Sequence, residues 1–353
     1  MTEFNIEEYL NSLPDDVEII DVSRKSLKYL PDLSRFKNLK TLYCYFNKLT
    51  SLPVLPEKLG ILNCSCNKLT LLPVLNENLK VLNCANNQLT SLSVLPEKLK
   101  KLNCSCNKLT LLPVLNENLK VLNCGYNELT SIPILNNNLE LFYCNNNQLI
   151  SLPVLNENLI ILNFENNQLT SLPVLNEKLK NLNCSNNKLT LLPILNENLA
   201  QLYCGLNQLT SLPNLNENLE LLECSYNQLT SLPIFPENLQ ILYCDNNKLM
   251  SFPVLPKQLK VLYLNNNPIN DIIYGYLNNN PINDIIYDGG DLGFDIIKKN
   301  IKTWNNFRYL FYCLKYKEKL WKIRESIIKK KYHPSYLNNL MEEDNLDEIL
   351  NKW

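Results

Sequence analysis

Histidine and glycine are scarce in this sequence, and long apolar runs are missing. The 353 residues include one histidine, His333, and seven glycines. One histidine cannot build a site around several imidazoles, and few glycines leave little material for loops that hold phosphate groups. No stretch approaches the roughly 20 apolar residues that cross a bilayer. We therefore expect no cofactor, no metal site, no catalytic residue and no small-molecule substrate.

Charge of one sign is also not in excess. The chain has 34 Lys and Arg residues against 35 Asp and Glu residues, so it has no general attraction to nucleic acid or acidic membranes. Its first residues, MTEFNIEEYLNSL, carry acids where a secretory signal has bases. We expect a cytoplasmic protein, whose 13 cysteines are free thiols because disulfides are rare in reducing compartments.

A 20-residue repeat dominates what is present. From Leu39 to Ile269 the pattern LxxLxCxxNxLTxLPxLxxx recurs twelve times in register. A degenerate unit precedes these copies, starting at Val17 and carrying Lys25 where the others have asparagine. A unit of this length cannot bury a core alone. The copies are therefore expected to stack into a solenoid.

Each position of the repeat has a physical interpretation. Leu62 and Cys64 alternate with Ile61 and Asn63, which predicts a strand with one face in the core. Stacked copies then form a parallel sheet. We expect Asn67 and its equivalents to satisfy buried backbone groups of the turn, because an amide both donates and accepts. The Leu-Pro segment favours an extended, polyproline-like return to the next strand.

This pattern resembles the leucine-rich-repeat superfamily, in the short class found in bacterial type III secreted effectors. The resemblance covers residues 17–269. It implies a right-handed arc whose concave parallel sheet binds a protein. Some of those effectors continue into a cysteine-dependent ubiquitin-ligase domain, which nothing in this chain matches. The tail KKKYHPSYLNNLMEEDNLDEILNKW resembles that of repeat proteins from giant DNA viruses of amoebae, and for a viral protein the location would be the host cytoplasm.

The repeat boundaries suggest four segments in a monomeric chain. Residues 1–16 are expected to form a helical N-terminal cap and residues 17–269 the solenoid. Residues 270–290 are expected to form an irregular link containing a tandem duplication of 13 residues. Residues 291–353 form a helical C-terminal cap, since their aromatic residues follow a helical rhythm.

Ten cysteines occupy one column of the repeat. Phe164 and Leu264 fill the same column, which indicates that the position requires an apolar group. Zinc needs four convergent ligands, whereas a column supplies a straight line of sulfurs. We interpret these cysteines as core thiols, with metal binding and disulfides as alternatives, and we expect Cys66 and Cys106 to face solvent. The column contains Cys44, Cys64, Cys84, Cys104, Cys124, Cys144, Cys184, Cys204, Cys224 and Cys244.

The concave sheet is the predicted site of partner binding, because aliphatic and tyrosine side chains beside amides suit a protein surface. Its charges are few, with Lys101, Glu165, Glu223 and Asp245 standing out, so a nucleic-acid partner is not expected. The alternative is that the aliphatic column only shields the sheet. The predicted binding residues are Tyr126, Leu141, Tyr143, Ile161, Tyr203, Leu221, Tyr226, Ile241, Tyr243 and Tyr263.

Two further functions stay open at the C-terminal end. Residues 298–331 hold twelve Lys and Arg residues against two glutamates, so this segment could tether nucleic acid or an acidic membrane, or be an ordinary solvated cap. Cys313 offers a thiol for a ligase fragment or an enzyme adaptor. We favour a protein-binding scaffold that is not an enzyme.

Overall fold

The structure is a computed structural model that describes residues 4–268. The predicted link at 270–290, the C-terminal cap at 291–353, Cys313 and the basic segment at 298–331 lie outside the described residues.

One parallel sheet organises the described residues. Its 13 strands follow one another in chain order, and Leu62 of one strand lies beside Leu42 of the strand before it and Leu82 of the next. The turns are about 20 residues apart, which confirms the predicted repeat solenoid. The elements are α1 (Ile6–Ser12), β1 (Ile19–Asp21), β2 (Thr41–Tyr43), β3 (Ile61–Asn63), β4 (Val81–Asn83), β5 (Lys101–Asn103), β6 (Val121–Asn123), β7 (Leu141–Tyr143), β8 (Ile161–Asn163), β9 (Asn181–Asn183), β10 (Gln201–Tyr203), β11 (Leu221–Glu223), β12 (Ile241–Tyr243) and β13 (Val261–Tyr263).

Helix α1 covers the first turn of the core. The Asn5 side chain caps it by accepting hydrogen bonds from the backbone N–H groups of Glu7 at 3.1 Å and Glu8 at 3.3 Å. Such a side chain satisfies N–H groups that have no partner inside the helix. Ile6 and Leu10 are buried against the solenoid core. The helix therefore shields apolar groups that the open end of a stack would expose to water.

The core is a set of stacked columns. Leu59, Leu62, Cys64 and Leu69 are fully buried, and so are nearly all their equivalents in other repeats. The return arm, by which we mean the extended segment between one strand and the next, adds Leu75 and its equivalents. Each buried leucine contributes roughly 1.5–3 kcal/mol to folding, so stability is shared along the whole array.

An asparagine ladder joins the turns. The Asn67 amide donates to the carbonyl oxygens of Cys44 at 3.0 Å and Cys64 at 3.1 Å, and its oxygen accepts from Leu49 N–H at 3.0 Å. Each asparagine thus bonds to its own repeat and to the preceding one. The pattern recurs from Asn47 to Asn267, which confirms the predicted role of this column.

Two more columns of asparagine lie at the turn before the strand in several repeats, and they were not among the features predicted from the sequence. Asn76 Nδ2 donates to the Pro56 carbonyl at 3.1 Å, and Asn78 Nδ2 donates to the Glu57 carbonyl at 3.0 Å. Equivalent bonds recur in later repeats. The repeated Leu-Asn-Glu-Asn segment is the signal that could have revealed them. The first ladder follows the strands, whereas these bonds lie just before them. Repeats are therefore joined by polar contacts at both ends of the strands.

Candidate protein-binding face

The solvent side of the sheet, which we call the sheet face, consists of the first and third residues of each strand. In β3 to β13 the middle residue is buried, while the first and third are at least partly exposed. The structure places eight of the ten predicted binding residues there. Leu141, Ile161, Leu221 and Ile241 take first positions, and Tyr143, Tyr203, Tyr243 and Tyr263 take third positions.

Tyr126 and Tyr226, the other two predicted residues, lie beyond the strands at a special backbone position. Their φ angles are 56° and 54°, and their side chains are 57% and 55% exposed. Every repeat from Phe46 to Asn266 has a left-handed residue at this place, and six of these twelve are asparagine, which tolerates that conformation best after glycine. The large side chains there project from one edge of the sheet face.

The C-terminal half of the sheet face carries a column of tyrosine and glutamate. Tyr203, Glu223, Tyr243 and Tyr263 occupy third strand positions in direct register. The rings of Tyr243 and Tyr263 have centroids 4.8 Å apart. The Tyr203 hydroxyl donates to Gln201 Oε1 at 3.5 Å. Rigid aromatic rings of this kind offer contact area at low conformational cost.

Glu223 is enclosed by groups from neighbouring repeats. Its Oε2 accepts from Gly205 N–H at 2.9 Å and from the Ser185 hydroxyl at 3.4 Å, and its Oε1 accepts from Ser225 N–H at 3.0 Å. Burial raises the pKa of the Glu223 carboxyl despite these donors. A Cβ at position 205 would overlap the carboxylate oxygens, so glycine is needed there for Glu223 to reach the backbone.

The N-terminal end of the sheet face holds a second aromatic group, which the predicted binding residues do not include. The ring centroids of Tyr43 and Tyr45 are 6.4 Å apart, and those of Tyr45 and Phe46 are 6.0 Å apart. The Arg24 guanidinium lies 4.7 Å from the Phe46 ring centroid, a cation–π distance. Arginine and tyrosine are common in binding hot spots, so this group extends the candidate site towards the first repeats.

The cysteine column lies in the core, which confirms that these residues are packed as thiols. All ten are buried and free, and Cys84 Sγ–H donates to the Asn103 carbonyl at 3.5 Å. Burial raises the pKa values of Cys44 and Cys84 to about 12, so neither is a thiolate at neutral pH. Cys66 and Cys106 are half-buried rather than facing solvent freely, because neighbouring repeats cover part of each side chain. Within residues 4–268, no group of three or more His, Cys, Asp or Glu is placed to hold a metal ion.

The most exposed apolar residues lie on the return arms, away from the sheet face. They occupy one position of the repeat, directly after proline in most copies, and are 78–88% exposed. The extended conformation of this segment was predicted from the sequence, but its exposure was not. The column contains Val54, Val74, Val94, Val114, Ile134, Val154, Val174, Ile194, Ile234 and Val254.

Similarity to solved structures shows the family of this chain. No family model and no curated protein matches this chain. YopM from Yersinia enterocolitica WA-314 is 34% identical with a TM-score of 0.67, over 70% of this chain and 59% of that one. YopM from Yersinia pestis, a leucine-rich effector protein, is 31% identical with a TM-score of 0.58, over 71% of this chain and 84% of that one. The chain belongs to the leucine-rich-repeat family.

A third leucine-rich-repeat structure shares the cysteine feature. The functional domain of InlJ from Listeria monocytogenes includes a cysteine ladder, is 27% identical and has a TM-score of 0.55, over 67% of this chain and 59% of that one. The leucine-rich-repeat chain described here thus spans about three fifths of the InlJ domain and of the Y. enterocolitica YopM chain. In the described part of the chain, no helix has the length and apolar character needed to span a membrane.

Proposed function

We propose that this leucine-rich-repeat chain is a protein-binding scaffold whose partner docks on the concave sheet face. One observation carries the proposal. Tyr143, Tyr203, Tyr243 and Tyr263 share a solvent-facing surface with the aliphatic first strand positions. Tyrosine is enriched in protein-binding hot spots, and the half-buried aliphatic groups beside these tyrosines add apolar contact area of the kind found in the core of an interface.

The rigidity of the sheet face favours binding. The asparagine ladder that includes Asn67 ties each repeat to its neighbour, and the columns of Asn76 and Asn78 add further bonds in several repeats. A surface that is already ordered loses little conformational freedom when a partner docks. Sparse lysine on the strands, with Lys101 the one in a first strand position, suits a protein better than a phosphate backbone.

The proposal assigns no catalytic step to the chain. The ladder cysteines are poor nucleophiles because burial raises their pKa values, to about 12 for Cys44 and Cys84, and the thiolate is the reactive form. A ligase role for Cys313 and a tether at 298–331 stay predictions. A ubiquitin-thioester assay with Cys313→Ala and a salt titration of nucleic-acid binding would test them.

An affinity capture with two matched variants tests the proposal. Ile161→Glu puts a charge on the sheet face, and Val154→Glu puts the same charge on a return arm, where the native side chain is 86% exposed. We expect Ile161→Glu to reduce capture of the partner by about tenfold or more, while Val154→Glu captures it as the wild type does. Thermal unfolding of both variants checks that they fold.

The reverse pattern would place the partner on the return arms. If the wild type and both folded variants capture the partner equally, the partner does not bind the described sheet face.

A further inference from the structure

Two carboxylates in the last repeats, those of Glu223 on the sheet face and of Asp245 just after β12, have no ion-pair partner among the described residues. The ion pairs among residues 4–268 join Arg35 to Asp15, Lys40 to Glu18 and Lys120 to Glu140. None of them involves Glu223 or Asp245. Buried charges are ordinarily paired, because an unpaired one keeps its desolvation cost.

Asp245 adds negative charge next to Glu223. Ser225 connects the two residues, since its N–H donates to Glu223 Oε1 at 3.0 Å and its hydroxyl donates to Asp245 Oδ2 at 3.1 Å. The other Asp245 oxygen, Oδ1, is buried and has no hydrogen-bond partner in the described residues. The neutral donors therefore position the carboxylates without balancing their charge.

Glu223 is held in place as a fixed acceptor. Donors from three different repeats converge on it, namely Ser185, Gly205 and Ser225. Because Gly205 lacks a side chain, the carboxylate lies against its backbone. A carboxylate fixed in this way does not have to be ordered when a partner group arrives, which lowers the cost of binding.

Two tyrosines flank this carboxylate in the direction of the solenoid. Tyr203 and Tyr243 pair with Glu223 from the preceding and following strands. Their backbone positions are two strand spacings apart, roughly 9.6 Å, so one tyrosine lies on each side of the Glu223 column position along the stack. Burial raises the pKa of Tyr203, and the nearby Tyr243 and Glu223 raise it further, which places the three groups in one electrostatic neighbourhood.

We propose that Glu223, between Tyr203 and Tyr243, receives an arginine side chain from a basic segment of the protein partner. This subsite rests on the proposed function and names the chemistry of its ligand. A guanidinium group supplies the missing positive charge, donates hydrogen bonds to a carboxylate and stacks on tyrosine rings. Arg24 lies with Phe46 at the other end of the array. Because Arg24 is itself positively charged, a basic segment is repelled there and attracted to the carboxylates of the last repeats.

A small probe tests the subsite without the partner. The full chain is titrated with acetyl-Gly-Arg-Gly-amide and with the same peptide containing neutral citrulline, and binding is followed by NMR. We expect the arginine peptide to bind and the citrulline peptide to bind about tenfold more weakly or not at all, because only the first carries a charge.

Two variants locate the binding. Glu223→Gln should weaken binding of the arginine peptide by about tenfold. Glu165→Gln, two residues beyond β8 and outside the tyrosine column, should change that binding less than about twofold. Tyr243→Leu leaves the carboxylate in place and removes one ring, so it should also weaken binding. It serves as the decisive variant if Glu223→Gln fails to fold.

Equal binding of the citrulline peptide, or full arginine binding by folded Glu223→Gln or Tyr243→Leu, would overturn the subsite. The proposed function fails separately, through the capture experiment with Ile161→Glu. If the chain captures its partner through the sheet face but does not bind the arginine peptide, the proposed function stands and the arginine subsite is wrong.

Discussion

Single asparagine side chains carry much of the connection between repeats. Asn147 shows the arrangement at one site, donating to the carbonyls of Cys124 and Cys144, each at 3.1 Å, and accepting from Leu129 N–H at 3.0 Å. All three groups belong to turns that lack ladder partners of their own. One side chain therefore satisfies backbone groups in two repeats at once.

Asn147→Ala should lower the free energy of unfolding by about 1–3 kcal/mol, because buried backbone groups lose their partners. Gln148→Ala is the matched control. The Gln148 side chain is next in sequence and exposed, so its removal should change stability little. Chemical denaturation of both variants measures the difference. Similar losses for the two would mean that the ladder is not a source of stability.

The strands are short elements that depend on their neighbours. Each has three residues, fewer than an isolated strand would need to be stable. Interior strands pair on both sides, whereas β1 has a strand partner on one side only. Helix α1 and its buried Ile6 and Leu10 therefore stabilise the first repeat in a way that the interior repeats do not require.

Leu10→Ala should destabilise the first repeats by about 2–5 kcal/mol, because it leaves a cavity under α1. Hydrogen exchange is expected to speed up at β1 and β2 and to stay unchanged at β9 to β11, since each repeat contacts only its neighbours. Glu8→Ala, at an exposed position of the same helix, is the control. Uniformly faster exchange along the sheet would instead show one cooperative unit.

Across the whole molecule, the buried thiols couple stability to alkaline pH. Ten cysteines are buried, and burial raises the pKa of each thiol above its usual value, to about 12 for Cys44 and Cys84. Unfolded thiols release protons from about pH 8.5, while folded ones hold them. Their contribution is complete below that pH and is lost as the pH rises towards the folded values.

We expect the free energy of unfolding to fall steeply between about pH 8.5 and 12. Cys84→Val should reduce the slope by about 1.4 kcal/mol per pH unit, the effect of one proton. Leu82→Val, which changes the core without removing a thiol, should keep the wild-type slope. Denaturation measured across this pH range gives both slopes, and a slope unaffected by Cys84→Val would contradict the linkage.

The solenoid was predictable from the sequence because its determinants are local and repeated. Alternation around Leu62 and Cys64 predicted the strands, and the 20-residue spacing predicted their parallel order. Phe164 and Leu264 in the cysteine column predicted buried thiols, and the Asn67 column predicted a bonding role in the turn. A one-dimensional stack places each column by counting residues, so no distant contact has to be known.

The tertiary structure alone decided features that depend on contacts between repeats. The approach of Glu223 to Gly205 spans 18 residues, and the contact of Arg24 with Phe46 depends on how the first two repeats stack. The left-handed backbone at Tyr126 and Tyr226 belongs to the turn geometry, which the residue type does not reveal. These features set the shape and charge of the candidate site, because side chains on a stacked sheet take their surroundings from the neighbouring repeats rather than from their own.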